Sequence, residues 1–134
     1  MSRPRPEPRW LGRLVLDAIH ADQIREHGGL PGLPDANALE SALSRPRHKW
    51  LYADERDLAV LAAAYGFALV KNHPYRDGNK RIAFLASVTF LGINGHMLNV
   101  SDADVVTEMF ALAAGDVSEE QFAAWIRNHM TRLK

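Results

Sequence analysis

Asn72-His73-Pro74-Tyr75-Arg76-Asp77-Gly78-Asn79-Lys80-Arg81 gathers an imidazole, a carboxylate, turn residues and three cations into one short stretch. On either side runs an apolar segment without a charge, Leu58 to Val70 before it and Ile82 to Ile93 after it. In the first flank Leu58, Leu61, Ala62, Tyr65, Ala68 and Leu69 recur at the spacing of one helical face. Val60, Ala63, Ala64, Phe67 and Val70 fill the other faces, so the spacing predicts a helix buried nearly all round. The second flank repeats this with Ile82, Leu85, Ala86 and Thr89 on one face and Phe84, Val88 and Leu91 on another. Both runs fall short of the ~20 apolar residues of a membrane span, which makes them core helices. Pro74 lacks an N–H and disfavours the helical region at His73, so the first helix should stop there. Asp77-Gly78 supplies turn chemistry before a second helix begins near Asn79. The stretch is thus expected to be the loop of a buried helical hairpin.

A loop so placed has electrostatic consequences. The first turn of the second helix offers unpaired N–H groups and a partial positive charge, both favouring an anion. Gly78 lets a ligand approach the backbone, while Asn79, Lys80 and Arg81 add side-chain donors suited to phosphate oxygens. Asp77 is the one acid in the stretch and could hold Mg²⁺, which takes one or two carboxylates together with substrate phosphates. His73 ends the incoming helix, where an imidazole, neutral near pH 7, can serve as a general base.

At 134 residues the chain is one domain with room for a sizeable core. Sixteen basic and sixteen acidic residues cancel, so no global field draws the chain to nucleic acid or to an anionic membrane. The lack of cysteine excludes disulfides and thiolate metal sites and suits a cytoplasmic protein. Arg3, Arg5, Arg9 and Arg13 precede Leu14-Val15-Leu16, but Asp17 and His20 cut that apolar run too short for a signal peptide.

Residues 1–9, with three alternating prolines, read as a mobile tail ahead of a single domain spanning 10–134. A helix is expected from Trp10 to His27, closed by Gly28-Gly29. Asp35 or Asn37 should cap a short helix carrying Leu39, Ala42 and Leu43 and ending before Pro46. Ser44 to Asp54 then reads as a loop with Trp50 and Tyr52 tucked into the core; an exposed binding flap beside the site is the sharper alternative. Asn94-Gly95 ends the second buried helix, and Ser101 caps a helix with Val105, Val106, Met109, Phe110 and Leu112. Ser118 begins a last helix, with Gln121 as its capping-box partner. No strand alternation is visible. The expected fold is all-α, about six helices around the central hairpin.

His73-Pro74-Tyr75-Arg76-Asp77-Gly78-Asn79-Lys80-Arg81 resembles the signature loop of the Fic/Doc family, His-x-Phe-x-(Asp/Glu)-Gly-Asn-(Gly/Lys)-Arg. The segments His27-Gly28-Gly29-Leu30-Pro31-Gly32, Leu39-Glu40-Ser41-Ala42-Leu43 and Phe90-Leu91-Gly92-Ile93-Asn94-Gly95 are similar to the Doc branch, death-on-curing toxins, and extend the likeness over roughly residues 14 to 130. The resemblance implies transfer of part of a nucleotide to a protein hydroxyl. By position His73 would be the base, Asp77 the Mg²⁺ ligand, and Gly78, Asn79, Lys80 and Arg81 the phosphate holders. Tyr75 stands where the family usually has Phe.

Adenylyl-transferring members carry Gly-Asn-Gly-Arg-x-x-Arg, whereas here Lys80 replaces the second Gly and Phe84 the second Arg. In Doc-type toxins this replacement accompanies a reversed ATP that presents its γ-phosphate. The implied activity is a protein kinase acting on a Ser/Thr hydroxyl of a translation factor, elongation factor Tu being the family target, with growth arrest as the result. An adenylyltransferase tolerating Lys80 and a catalytically silent protein-binding module are the alternatives. Many family members carry an inhibitory (Ser/Thr)-x-x-x-Glu-(Gly/Asn) helix. Here Ser41 is followed four residues on by Arg45, Thr107 by Ala111 and Ser118 by Phe122, so restraint would fall to a small antitoxin acting in trans.

Overall fold

The computed structural model describes residues 6–134. Most of the stretch read as a mobile tail, residues 1–5, lies outside the described residues. Arg9, the tail's last residue, is tied by its backbone to Asn94: its N–H donates to Oδ1 at 2.8 Å, and Nδ2 donates to its carbonyl at 3.0 Å.

The described residues form six helices: α1 (Arg13–His27), α2 (Ala36–Tyr52), α3 (Leu58–Asn72), α4 (Asn79–Ile93), α5 (Asp102–Ala114) and α6 (Glu119–His129). The mostly helical architecture agrees with the sequence reading, and α3 and α4 are its central hairpin. Helix α3 packs against α4, α2 and α6 at once. Such encirclement explains why its side chains are apolar on every face, with Leu61, Ala62, Ala63, Ala64, Tyr65 and Leu69 fully buried.

Small residues set how closely α3 and α4 approach. A Cβ on Gly66 would stand 2.8 Å from Phe122 Cε2 of α6 and 2.8 Å from Ser87 Oγ of α4. Ser87, itself fully buried, donates to the Ala62 carbonyl at 2.7 Å and so satisfies its hydroxyl at the contact. The caps follow the sequence: Asp35 Oδ1 accepts from Ala38 N–H, and Ser101 from Asp104 N–H. Ser118 and Gln121 form the full capping box.

Helix α2 departs from expectation. It runs through Pro46 to Tyr52, so all but the last two residues of Ser44 to Asp54 are helix and form neither a loop nor a flap. Pro46 removes one helical N–H, but Leu39, Ala42, Leu43, Pro46 and Trp50 make one buried stripe along α2. Burial of that stripe outweighs the lost bond. Trp50 is anchored edge-on to Trp10 at 6.3 Å and lies under the Arg56 guanidinium at 3.8 Å, whereas Tyr52 is exposed rather than tucked in. Helix α1 starts three residues later than expected, because Trp10 stacks on Phe90 and the Leu11 N–H bonds to the Tyr65 hydroxyl. The all-α reading also missed a small antiparallel pair, β1 (His96–Leu98) with β2 (Met130–Arg132), in register His96↔Arg132. Three-residue strands are too short to show alternation.

Two glycines on neighbouring helices should respond oppositely to alanine. At Gly66 the helix propensity gained, ~1 kcal/mol, is set against overpacking of ~1–3 kcal/mol. Gly66→Ala should lower the urea midpoint, while Gly92→Ala in α4, with nothing within 4 Å of its Cβ, should raise it. Equal midpoints for the two variants would contradict this account of the α3–α4 contact.

Candidate active site

The loop between α3 and α4 opens into a cleft of about 480 Å³. His73, the C-cap of α3, sits at φ 47°, ψ 56°, a left-handed conformation in a non-glycine residue. Pro74 disfavours the right-handed region for the residue before it, and the left-handed one costs on the order of 1–2 kcal/mol. That turn leaves the imidazole exposed at the edge of the cleft.

The loop is held from both ends. Asn79, first residue of α4 and buried, turns its carboxamide back on Tyr75: Oδ1 accepts from Tyr75 N–H at 3.1 Å and Nδ2 donates to the Tyr75 carbonyl at 2.9 Å. Its side chain, read from sequence as a phosphate donor, is thus engaged in closing the loop. The connection between α1 and α2 lies alongside. Arg76 N–H donates to the Gly32 carbonyl at 3.1 Å, and Asp35 N–H to the Pro74 carbonyl at 3.3 Å. These two bonds bridge 44 and 39 residues of chain.

Gly78 takes φ 78° as N-cap of α4, which a residue with a Cβ adopts only under strain. The first-turn N–H groups of α4 that follow have no intrahelical partner. Around them stand Arg76, Lys80 and Arg81, all lining the cleft. Among the described residues none of the three forms an ion pair. The Lys80 ammonium lies 4.9 Å over the Phe110 ring of α5.

Asp77 carries the carboxylate. Oδ1 accepts from Gly78 N–H at 2.9 Å and Oδ2 from Leu30 N–H at 3.3 Å. A carboxylate has about four lone-pair sites, so it keeps capacity for a cation. Among the described residues no group of three or more His, Cys, Asp or Glu is arranged to hold a metal. One carboxylate fits Mg²⁺ that takes its remaining ligands from phosphate and water.

The far wall was not expected. The sequence places Val105, Val106, Met109 and Phe110 on α5 without assigning them a face; Val106 is 55% and Phe110 60% exposed, and both line the cleft with Phe84. Helix α5 has two apolar faces, one for the core through Met109 and Leu112 and one for the cleft. Apolar residues wider than one helical stripe were the available signal. The structure therefore brings all six expected site residues, His73, Asp77, Gly78, Asn79, Lys80 and Arg81, to one cleft, cationic on one side and apolar on the other.

A helical core carrying this loop at a helix N-terminus defines the Fic/Doc class. The Fic/DOC family model matches residues 10–91, and the chain belongs to that family. Within it the chain is 32% identical over 113 residues to a protein named protein kinase doc from Escherichia phage P1, covering 84% of this chain and 88% of that one. It is 40% identical over 90 residues to a protein named toxin Doc from Mycolicibacterium smegmatis, covering 66% of this chain and 68% of the relative. Among the described residues no helix is long and apolar enough to cross a membrane.

The Asn79 clip yields a test. Asn79→Ala would strip partners from both backbone groups of buried Tyr75, a loss of roughly 2 kcal/mol or more. Thermal unfolding should show that loss, and any transfer activity should fall further than the unfolded fraction accounts for. An unchanged melting temperature would remove the clip as a structural element.

Proposed function

We propose that the chain is a Doc-type protein kinase toxin, using ATP and Mg²⁺ to phosphorylate a Ser/Thr hydroxyl of a translation factor. The observation that carries the reading is Lys80 in the first turn of α4, in the cleft, with Phe84 beside it in place of a second arginine. The names of the two relatives point the same way. Lys80 adds bulk and charge where adenylyl-transferring members have glycine, which favours an ATP turned to present its γ-phosphate.

In this reading the first turn of α4, with Lys80 and Arg81, binds the phosphates. Asp77 is the residue that would hold Mg²⁺, which when bound draws charge from the phosphate oxygens. His73 takes the proton of the acceptor hydroxyl. The hydroxyl oxygen bonds to the γ-phosphorus, the bond from that phosphorus to the β–γ bridging oxygen breaks, and ADP leaves. The acceptor class and elongation factor Tu as the target rest on the family resemblance.

Labelled ATP separates the readings. Label from the γ-position on a bacterial translation factor is expected, dependent on Mg²⁺ and reduced ~10²–10⁴-fold in folded His73→Ala. Label from the α-position would make the protein an adenylyltransferase, and none from either would make it a binding module. Undiminished transfer in EDTA would remove the metal from Asp77.

Restraint by a small antitoxin is part of the same proposal. Its support is the missing inhibitory helix and the missing second arginine at Phe84. A partner tail folding as a helix on the toxin is a familiar mode of recognition. The chain expressed alone should arrest bacterial growth, with rescue by a short neighbouring reading frame. Robust growth with soluble, active protein and no partner would overturn this.

A further inference from the structure

Arg13, Asp17, His20 and Ile24 follow one another at intervals of four, three and four residues, one face of α1. That face lies against the active-site loop. Buried His20 places Nε2 2.8 Å from the Asp77 carbonyl oxygen, and its ring stacks flat on Tyr75, centroids 3.9 Å apart and planes 10° from parallel. The Tyr75 hydroxyl in turn donates to Asp17 Oδ1 at 2.9 Å, and Arg13 Nε pairs with Asp17 Oδ2 at 3.3 Å. A carbonyl can only accept, which assigns the proton to Nε2 of His20.

We propose that His20, aided by the Tyr75–Asp17 bond, is a positioning residue that orients the Asp77–Gly78 peptide for the transfer reaction. In a trans peptide the carbonyl and the next N–H point in opposite directions. Drawing the Asp77 carbonyl toward α1 therefore aims Gly78 N–H away from α1, where it meets Asp77 Oδ1 at 2.9 Å. One bond from His20 thus fixes both the carboxylate and the peptide that begins α4. A flip of that peptide would leave the partly buried imidazole N–H unpaired and turn the start of α4 away from the phosphates. The extra oxygen of Tyr75, where a Phe would suffice to fill the space, gives the loop its second attachment to α1.

The activity arm of the test rests on the kinase reading, and the structural arm does not. His20→Phe keeps a flat ring and removes the donor, while His20→Gln restores a donor near the place of Nε2. Amide exchange followed by NMR should quicken roughly tenfold or more at Tyr75, Arg76 and Gly78 in His20→Phe, with α3 and α6 unchanged, and return toward wild type in His20→Gln. In the transfer assay His20→Phe should lose roughly tenfold in kcat with little change in the KM for ATP, and His20→Gln should recover most of it. Tyr75→Phe should quicken exchange at Tyr75 and Arg76, an independent reading should His20→Phe fail to fold. Wild-type loop exchange in whichever of these variants folds, or a Gln variant no better than Phe, would overturn the proposal. Absence of transfer in wild type would sink the kinase reading alone, leaving the exchange data to decide the role of His20.

Discussion

The approach of α3 to α4 at Gly66 and Ser87 is the constraint on which the rest of the molecule depends. Helix α3 can be surrounded by α2, α4 and α6 only if its side chains are small or apolar on every side, and the contact leaves no room for one more carbon. Packing that tight fixes where α3 ends and α4 begins, and hence the span the loop must cross. Six residues, His73 to Gly78, make that crossing. They do so with left-handed conformations at both ends, His73 and Gly78, which reverse the chain between two helices held rigidly in place. The loop's backbone is then bonded to Asn79 from within, to the α1–α2 connection alongside, and to His20 beneath. A site assembled in this way is set by its scaffold before any ligand arrives, which is where electrostatic preorganisation has its effect.

The hairpin was legible in the sequence because its signals are local. Uncharged helical periodicity, a proline after His73, and Asp-Gly before Asn79 each constrain their own neighbourhood, and no distant contact opposes them. Where a distant contact does oppose the local signal, the reading failed. Pro46 is a strong local stop, yet α2 continues because the stripe from Leu39 to Trp50 is buried against its neighbours. Tyr52 and Trp50 look alike in a sequence window; only the packing of Trp10 and Arg56 onto one of them separates them.

The candidate site divides along the same line. The residues of the loop could be named from the sequence, since chemistry and turn signals coincide there. Asn79 could be named but its side chain's use could not, because a carboxamide at a helix start serves a ligand or the backbone equally well by pattern. The α5 wall and the α1 support were invisible for a different reason. Val106 and Phe110 obey the rule for core residues while facing a cleft, and His20 lies 57 residues from the carbonyl it meets. Neither has a signature at short range.

Charge is distributed in a way that serves the cleft despite a net balance of zero. Away from it, three cations form pairs that join elements: Arg45 and Lys49 of α2 with Glu119, the buried acid that begins α6, and Arg127 of α6 with Asp57 at the cap of α3. Two hydrogen bonds from Arg45 to Glu119 raise the guanidinium's pKa further and tie α2 to the N-terminus of α6, where a carboxylate is favoured by the helix dipole. At the cleft the pattern differs. Arg76, Lys80 and Arg81 line the same cleft as one carboxylate, Asp77, whose oxygens are already bonded to backbone N–H groups, and the open first turn of α4 adds to the same positive potential. Against the apolar wall of Phe84, Val106 and Phe110, that potential is screened less than it would be on an open surface. A neutral chain therefore carries a local field for an anion without attracting polyanions over its whole surface.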